Sequence, residues 1–200
     1  MTRHNFLDTM NFMNLKLYFL LSVLLIVNKV FSQGAVIYGE KHFYTLLTPK
    51  GWVYDKDFCR AVGVPYIIFP SSEETNEVKK IYIYSMGFDR KEGSKENIDS
   101  FVKYDTNDFL NKFPDLKIEK LNINFTNIVK NQYLSGKYYI FKFTYPDGRY
   151  ENVLYIDAKE TVVTIVYSAY YEENYRKYFN DFLSLVNSFI FLGNEVRKSK

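Results

Sequence analysis

Few residues in this chain have side chains suited to catalysis or metal binding. After the first 32 residues the only histidine is His42, and the only cysteine of the chain is Cys59. A metal-binding or catalytic histidine needs partner residues at a defined spacing, and no H-x-x-x-H pattern is present. Papain-like signatures are absent around Cys59. These patterns favour a structural histidine and a small buried cysteine over a nucleophile and its base.

Asp55 and Asp57 form a D-x-D pattern, and two carboxylates at this spacing could bind a divalent cation. The loop lacks the further oxygen ligands of an EF-hand, so a solvated turn is favoured, as it is for the acidic segment 71–77. G-x-S-x-G, Walker and G-x-G-x-x-G patterns are absent. We therefore predict no catalytic residue, no cofactor and no metal. An enzyme that uses Asp55, Asp57 or Cys59 is the alternative.

A group of tyrosines near the C-terminus is the candidate binding surface. Tyrosine rings can stack on a sugar or a protein partner while their hydroxyls form hydrogen bonds. Tyr175 falls on the apolar face of a predicted helix, so the other interpretation is a core edge with buried rings. A small-ligand or carbohydrate binder is the function that the exposed interpretation implies. The candidate ligand-binding residues are Tyr167, Tyr170, Tyr171 and Tyr178.

The N-terminus has the pattern of a secretory signal peptide. Residues 17–27, LYFLLSVLLIV, are apolar without a charge and follow a lysine directly. A signal peptide has an apolar region of roughly 7–15 residues, whereas a membrane-spanning helix needs about 20. Val30 and Ser32 occupy the third and first positions before a cut at Gln33. We predict that residues 1–32 are cleaved and that the protein is exported, to the periplasm or the extracellular space, without a remaining transmembrane segment.

The first twelve residues, MTRHNFLDTMNF, are longer and more polar than the start of a leader needs to be. A chain that begins at Met13 would have a compact leader with a lysine before its apolar region. We therefore expect translation to begin at Met13, with Met10 as the second candidate start.

Charge and cysteine content exclude several classes of protein. The formal net charge is +3, and the leader contributes most of it through three basic residues against one acidic residue. The remaining domain is close to neutral, so no electrostatic surface for nucleic acid is expected. A single cysteine excludes an internal disulfide, so the exported domain must be stabilised by its core. Residues 33–200 are long enough to form one domain with such a core.

Hydrophobic periodicity predicts strands, then a helix, a strand meander and a second helix. Residues 53–64 are predicted to be irregular, and Leu121, Ile123 and Phe125 to alternate along a strand. The final helix begins near Glu172 and is predicted to stop at Gly193. This order predicts an α+β fold in which an antiparallel sheet carries two helices on one face. The predicted elements are strands within 36–49, 66–69, 80–86, 139–145, 150–156 and 161–169, and helices from 97 to 112 and from 172.

Short motifs in this layout resemble the PsbP-like fold family, which includes the DcrB-type envelope proteins. The motifs are Pro49-Lys50-Gly51-Trp52 after the first strands, and a final helix that closes on Val186-Asn187-Ser188-Phe189. The resemblance implies one PsbP-like domain over residues 33–192, followed by a polar basic tail, 193–200. It also implies an exported or lumenal, non-catalytic accessory or binding module that serves a larger envelope protein assembly. No functional residue is implied, because the matches are at structural positions.

Overall fold

Two antiparallel β-sheets and the helices around them make up the computed structural model, which describes residues 34–73, 79–91 and 96–194. The chain divides into two compact units between Ser32 and Gln33, and every described residue belongs to the second unit. The predicted leader, its start and its cleavage point lie outside the described residues, as does segment 195–200 of the tail. No helix among the described residues is long and apolar enough to cross a bilayer.

The smaller sheet has the strand order β1-β2-β10, and the larger has the order β3-β4-β5-β9-β8-β7-β6. Every pair of neighbouring strands is antiparallel. The strands are β1 Gly34–Tyr38, β2 Phe43–Leu47, β3 Trp52–Tyr54, β4 Tyr66–Pro70, β5 Ile81–Asp89, β6 Lys117–Lys120, β7 Tyr138–Thr144, β8 Arg149–Asp157, β9 Thr161–Tyr170 and β10 Ile190–Gly193. The helices are α1 Lys56–Val62, α2 Ile98–Lys112, α3 Thr126–Val129 and α4 Glu172–Asn187, with a 3-10 turn at Ser71–Glu73.

The predicted α+β class and the antiparallel sheet are confirmed, but the placement of both helices on one face is wrong. In β8, Val153 and Tyr155 contact the core under α2, while Leu154 and Ile156 contact the core under α4. Successive side chains of a strand point to opposite faces, so the two helices cover opposite faces of the larger sheet. The central strands are apolar on both faces, which is the sequence pattern of a sheet whose two faces are both packed against other elements. We call these the α2 face and the α4 face.

The α4 face is closed by α4 together with the inner side of the smaller sheet. Tyr44 and Leu46 of β2 and Phe191 of β10 join the same core as Phe182 and Leu185 of α4. On the opposite side, the core under α2 gathers residues of β7, β8 and β9. The short α1 lies against β4. The part of the α2 face over β4 and β5 therefore lies between α1 and α2.

Three further predictions differ from the structure, and local capping explains the first of them. Residues 56–62 are helical, since Asp55 Oδ1 accepts the N–H groups of Asp57 and Phe58 at 2.9 Å and Gly63 ends the helix at φ 72°. The predicted strand 121–125 is absent, and Phe125 instead precedes α3. The final helix ends at Asn187 rather than Gly193, and the chain continues as β10, which pairs with β2.

Candidate functional site

A groove of about 360 Å³ lies on the α2 face where α1 flanks β4 and β5. Its floor is made by Ile67 of β4 and by Tyr82 and Tyr84 of β5, and Ile67 is directly opposite Tyr84 in the strand register. Strand alternation points these side chains away from the α4 core, because Ile81 and Ile83 between them face that core. Phe58 and Val62 of α1 form one wall, and Val64 and Lys79 complete the lining.

Aromatic packing fixes the α1 side of the groove. Phe58 meets Phe69 of β4 edge to face, with 5.9 Å between the ring centroids. Lys79 Nζ lies 4.3 Å from the centroid of the Phe69 ring and donates a hydrogen bond of 2.7 Å to the Glu73 carbonyl. A cation over an aromatic face is attracted by the ring quadrupole, so this rim residue is held by two interactions. The groove is thus apolar at its base, with one cation at its edge.

A row of polar side chains continues the floor across three strands. Tyr82 of β5 is opposite Ser168 of β9, which is opposite Glu151 of β8. Glu151 is 5% exposed and accepts a hydrogen bond of 2.9 Å from the Tyr145 hydroxyl. Arg149 Nη1 lies 3.3 Å from the other carboxyl oxygen of Glu151. Burial raises the pKa of Glu151, although the neighbouring Arg149 charge and the Tyr145 hydrogen bond act in the opposite direction.

A second carboxyl group, which is half-buried, lies on the same face. Asp105 of α2 accepts a hydrogen bond of 2.6 Å from the Tyr155 hydroxyl, and burial raises its pKa. Burial also raises the pKa of Tyr84, with further contributions from the charges of Glu151 and Asp105. The phenol of Tyr84 therefore stays protonated at neutral pH and can act as a hydrogen-bond donor.

This arrangement is suited to binding rather than to proton transfer. Each of the two carboxyl groups, Glu151 and Asp105, already accepts a hydrogen bond from a tyrosine hydroxyl. Across residues 34–73, 79–91 and 96–194, no group of three or more potential metal ligands is brought together. The groove instead offers aromatic and aliphatic surface and tyrosine hydroxyls, which are the usual components of a small-molecule site.

The predicted tyrosine cluster does not form one surface. Tyr167 is completely buried, and its ring stacks on Tyr175 with 5.6 Å between centroids and an interplanar angle of 12°. Its hydroxyl lies 3.0 Å from the carbonyl oxygens of Asn174 and Tyr175. The Tyr175 hydroxyl bonds to Asn152 at 2.8 Å. A ring without exposed surface cannot stack on a ligand, so Tyr167 is a core residue under α4.

The three other candidate tyrosines lie at the end of β9, at the residue before α4 and within α4. Tyr170 is three residues beyond Tyr167 in β9, so it points to the opposite face of the sheet. Tyr171 is 54% exposed and precedes α4. Tyr178 of α4 packs edge to face on Trp52 at 5.6 Å between ring centroids. Ligand binding by these three residues stays a prediction.

His42 and Cys59 have structural surroundings. His42 Nδ1 donates to Asp89 Oδ1 at 2.8 Å, and its ring packs against Gly39 and Gly87, where an added Cβ would lie 2.2 Å and 2.5 Å from Cε1. The pKa of Asp89 is lowered, because hydrogen bonds from Thr161 and His42 outweigh the effect of its burial. Cys59 is buried inside α1, and burial raises the pKa of its thiol, which disfavours the nucleophilic thiolate.

The D-x-D pattern is explained by helix capping. Asp55 caps α1, and Asp57 forms an exposed ion pair of 3.0 Å with Arg60 one turn later. The two carboxylates therefore bind backbone and arginine donors of the same short helix.

Two signals for the groove and the polar row are present in the sequence. Asp55 and Gly63 carry the start and stop signals of α1, and α1 supplies one wall of the groove. Glu151 alternates with Val153 and Tyr155 on one face of β8, which indicates a buried carboxyl group with partners. The juxtaposition of β4, β5 and α1 has no equivalent signal, because it depends on strand order.

Comparison with known proteins gives a fold but no sequence relative. No protein-family model matches the chain, and no curated protein matches it. Among solved structures it is similar to the solution structure of cyanobacterial PsbP (CyanoP) from Synechocystis sp. PCC 6803, with a TM-score of 0.52. The match covers 82% of this chain and 94% of that chain, at 15% sequence identity. This chain has a PsbP-like fold. At such low identity the likeness establishes the fold and nothing about activity.

The two motifs that resemble the PsbP-like family join α4 to strands β3 and β2. Trp52 Nε1 donates to Asp181 of α4 at 3.0 Å, which ties β3 to the helix. The Leu47 N–H donates to Ser188 Oγ at 2.9 Å, and Phe189 packs on Tyr44 with 5.4 Å between ring centroids. The Gly-Trp and Ser-Phe motifs therefore hold α4 against strands of both sheets.

Proposed function

We propose that this chain is an exported, non-catalytic binding domain that works as an accessory part of a cell-envelope protein assembly. The observation that carries the binding role is the aromatic groove between α1 and the floor of Ile67, Tyr82 and Tyr84. The PsbP-like fold supports an accessory role, and the leader pattern in residues 1–32 supports export. The ligand is a small apolar or aromatic molecule.

The size of the groove limits the ligand. Small-molecule sites have volumes of about 300–1,000 Å³, and this groove is at the lower end of that range. A molecule with one or two rings would cover Tyr82 and Tyr84 and contact Val62 on the wall. The tyrosine hydroxyls would give such a molecule hydrogen-bonding partners, while Lys79 at the rim would favour a polar or anionic end.

The burial of the candidate reactive groups, Glu151 and Cys59, favours binding over catalysis. Glu151 is almost completely covered and is held by Tyr145 and Arg149. A general acid or base must come within hydrogen-bond reach of its substrate, and Glu151 has almost no exposed surface for that contact. The buried Cys59 thiol has a raised pKa, so it does not supply a reactive thiolate at neutral pH.

A charge placed in the groove wall tests the binding role. Val62 is 47% exposed at the groove, and Val129 of α3 is 51% exposed elsewhere, so Val62→Glu and Val129→Glu form a matched pair. Binding is measured by fluorescence titration with N-phenylnaphthylamine, a neutral aromatic probe. We expect Val62→Glu to weaken binding about tenfold, because the probe must desolvate the new carboxylate, whereas Val129→Glu leaves it unchanged. Equal affinities for the two variants would exclude the groove as the binding site.

Export is tested separately from binding. Cells that express the full gene are fractionated, and the N-terminal residue of the recovered protein is sequenced. A protein outside the cytoplasm that begins at Gln33 is the expected result. A cytoplasmic protein with an intact N-terminus would refute the exported role without affecting the groove.

A further inference from the structure

Two polar atoms on the α2 face are buried and, among the residues that the structure describes, have no hydrogen-bond partner. They are Ser168 Oγ of β9 and Arg149 Nε of β8. Ser168 is 0% exposed, and it alternates with Val166, which faces the core under α2. A buried donor without an acceptor destabilises the folded protein, so an acceptor that reached these two atoms would be bound favourably.

Both unpartnered atoms belong to neighbours of Tyr82, which forms part of the groove floor. Ser168 is directly opposite Tyr82 in the register of β5 and β9, and Glu151 of β8 is opposite Ser168 on its other side. Burial raises the pKa of Tyr82, and the nearby Ser168 hydroxyl and Arg149 charge act in the opposite direction. Ser168 Oγ nevertheless makes no hydrogen bond of normal geometry to Tyr82. Tyr82 therefore lies between the groove and the two unpartnered atoms.

The Tyr82 side chain is held less firmly than the groups behind it. Tyr82 is half-buried, and its ring is tilted by 32° to the Tyr84 ring with 6.3 Å between the centroids. Arg149, in contrast, lies 3.7 Å from the centroid of the Tyr145 ring and is paired with Glu151. Side chains at a binding site commonly change rotamer when a ligand binds. A ligand in the groove can therefore turn the Tyr82 ring aside and meet donors whose positions are fixed.

The chemistry of these donors favours a neutral oxygen acceptor. Ser168 and Arg149 are diagonal neighbours across β9 and β8, a separation that a long side chain can span. Each can donate one hydrogen bond from its unpartnered atom, and a carbonyl oxygen accepts two. A ligand carboxylate at this position would lie beside the buried carboxyl group of Glu151, and like charges in a buried site repel each other. A carbonyl oxygen satisfies both donors without that repulsion.

We propose that the groove ligand is a neutral aromatic compound with a carbonyl oxygen, and that it turns Tyr82 aside to place this oxygen against Ser168 Oγ and Arg149 Nε. This inference rests on the proposed binding function of the groove. The aromatic body of the ligand lies over Tyr84 and against Val62, where the groove is apolar. Ser168 is then a specificity-determining residue, because it distinguishes a ligand with the oxygen from one without it.

The test compares 2-acetylnaphthalene with 2-ethylnaphthalene, which have nearly the same size and differ in the carbonyl oxygen. Each compound displaces N-phenylnaphthylamine from the protein in a fluorescence titration, and the anion 2-naphthoate is titrated in the same way. Ser168→Ala removes the unpartnered hydroxyl. Ser85→Ala is the matched control, because Ser85 is also 0% exposed but its Oγ is bonded to the Tyr44 hydroxyl and the Thr164 carbonyl, both at 2.8 Å.

We expect Ser168→Ala to weaken the binding of 2-acetylnaphthalene about fivefold, the effect of one hydrogen bond, and to leave that of 2-ethylnaphthalene unchanged. Ser85→Ala should change neither affinity, and Val62→Glu should weaken both by the same factor. Urea unfolding separates binding from folding. Ser168→Ala should keep the midpoint of the unsubstituted protein, since the lost hydroxyl had no partner, whereas Ser85→Ala should lower it.

Two results would overturn this inference and leave the groove as a binding site. One is an unchanged ratio of the two affinities in Ser168→Ala, while Val62→Glu still weakens both compounds. The other is binding of 2-naphthoate that is tighter than that of 2-acetylnaphthalene and is lost in Ser168→Ala, which would assign the two donors to an anion. If no compound binds, or if Val62→Glu has no effect, the proposed binding function fails and this inference fails with it.

Discussion

Replacement of Gly87 by alanine should strongly destabilise the fold, because the added methyl group would collide with the His42 ring. Its Cβ, if present, would lie 2.5 Å from His42 Cε1, 2.6 Å from Nε2 and 2.7 Å from Nδ1. The ring has little room to retreat, because an added Cβ at Gly39 would also meet it, at 2.2 Å, and because His42 is only 5% exposed. The Gly87→Ala change therefore forces the ring away from β5 and away from its hydrogen-bonding partner Asp89.

Two contributions give the size of the effect. Overpacking of a filled core costs about 1–3 kcal/mol. The displaced ring also loses its 2.8 Å hydrogen bond to the Asp89 carboxylate, and a bond of this type contributes about 1.5–3 kcal/mol. We expect Gly87→Ala to lower the free energy of unfolding by about 4 kcal/mol, a large fraction of the ~5–15 kcal/mol typical of a domain.

Equilibrium unfolding in urea measures this effect, and two further variants show whether the ring is its cause. Gly34→Ala is the control, because its added Cβ would meet only Leu47 Cδ2 at 3.4 Å, so we expect a change within about 0.5 kcal/mol. His42→Ala removes the obstacle. In a protein that already carries His42→Ala, Gly87→Ala should lower the free energy of unfolding by less than about 1 kcal/mol. An equal cost of Gly87→Ala with and without the His42 ring would refute the reasoning.

Two further predictions concern Glu151 and the acidic residues of α1. Burial raises the pKa of Glu151 above its ordinary value of 4.5, so the stability that this group contributes is fully present below pH 4.5 and is lost as pH rises through the raised pKa. Unfolding measured over a pH series should therefore show Glu151→Gln gaining stability relative to the unsubstituted protein as pH rises above 4.5; a difference that does not change with pH would contradict this. Asp55→Ala should cost about 1 kcal/mol in urea unfolding, because two N–H groups of α1 lose their acceptor. Asp57→Ala, which breaks only an exposed ion pair, should change stability by less than about 0.5 kcal/mol, and equal costs would argue against the capping role.

Elements with strong local patterns were predictable from sequence. Asn97 precedes α2 and forms a capping box with Ser100, as expected from an asparagine before an apolar helical repeat. Strands β8 and β9 and the start of α4 at Glu172 were predicted from periodicity and turn residues. Each of these patterns depends on residues that are close together in sequence, so the element it predicts does not depend on distant contacts.

The failed predictions for residues 190–193 and for the tyrosine cluster share a cause, which is that contacts distant in sequence decided them. Ile190–Gly193 continued the apolar pattern of α4, but pairing with β2 makes it a strand. Tyr167 and Tyr170 belong to one sequence cluster, but β9 turns them to opposite faces of a sheet whose two faces are both covered. A periodic pattern shows which side chains share a face, and it does not show what lies against that face.

The α+β class, most of the helices and strands, the PsbP-like resemblance and the scarcity of side chains suited to catalysis or metal binding were all predictable from the sequence. Tertiary structure alone decided that α2 and α4 cover opposite faces and that β4, β5 and α1 enclose a groove. It also decided that the outward side chains of β1, β2 and β10 form an exposed apolar surface. The physical reason is that strand order and layer packing depend on burial contacts between segments far apart in the chain, whereas capping, turns and periodicity are fixed within a few residues.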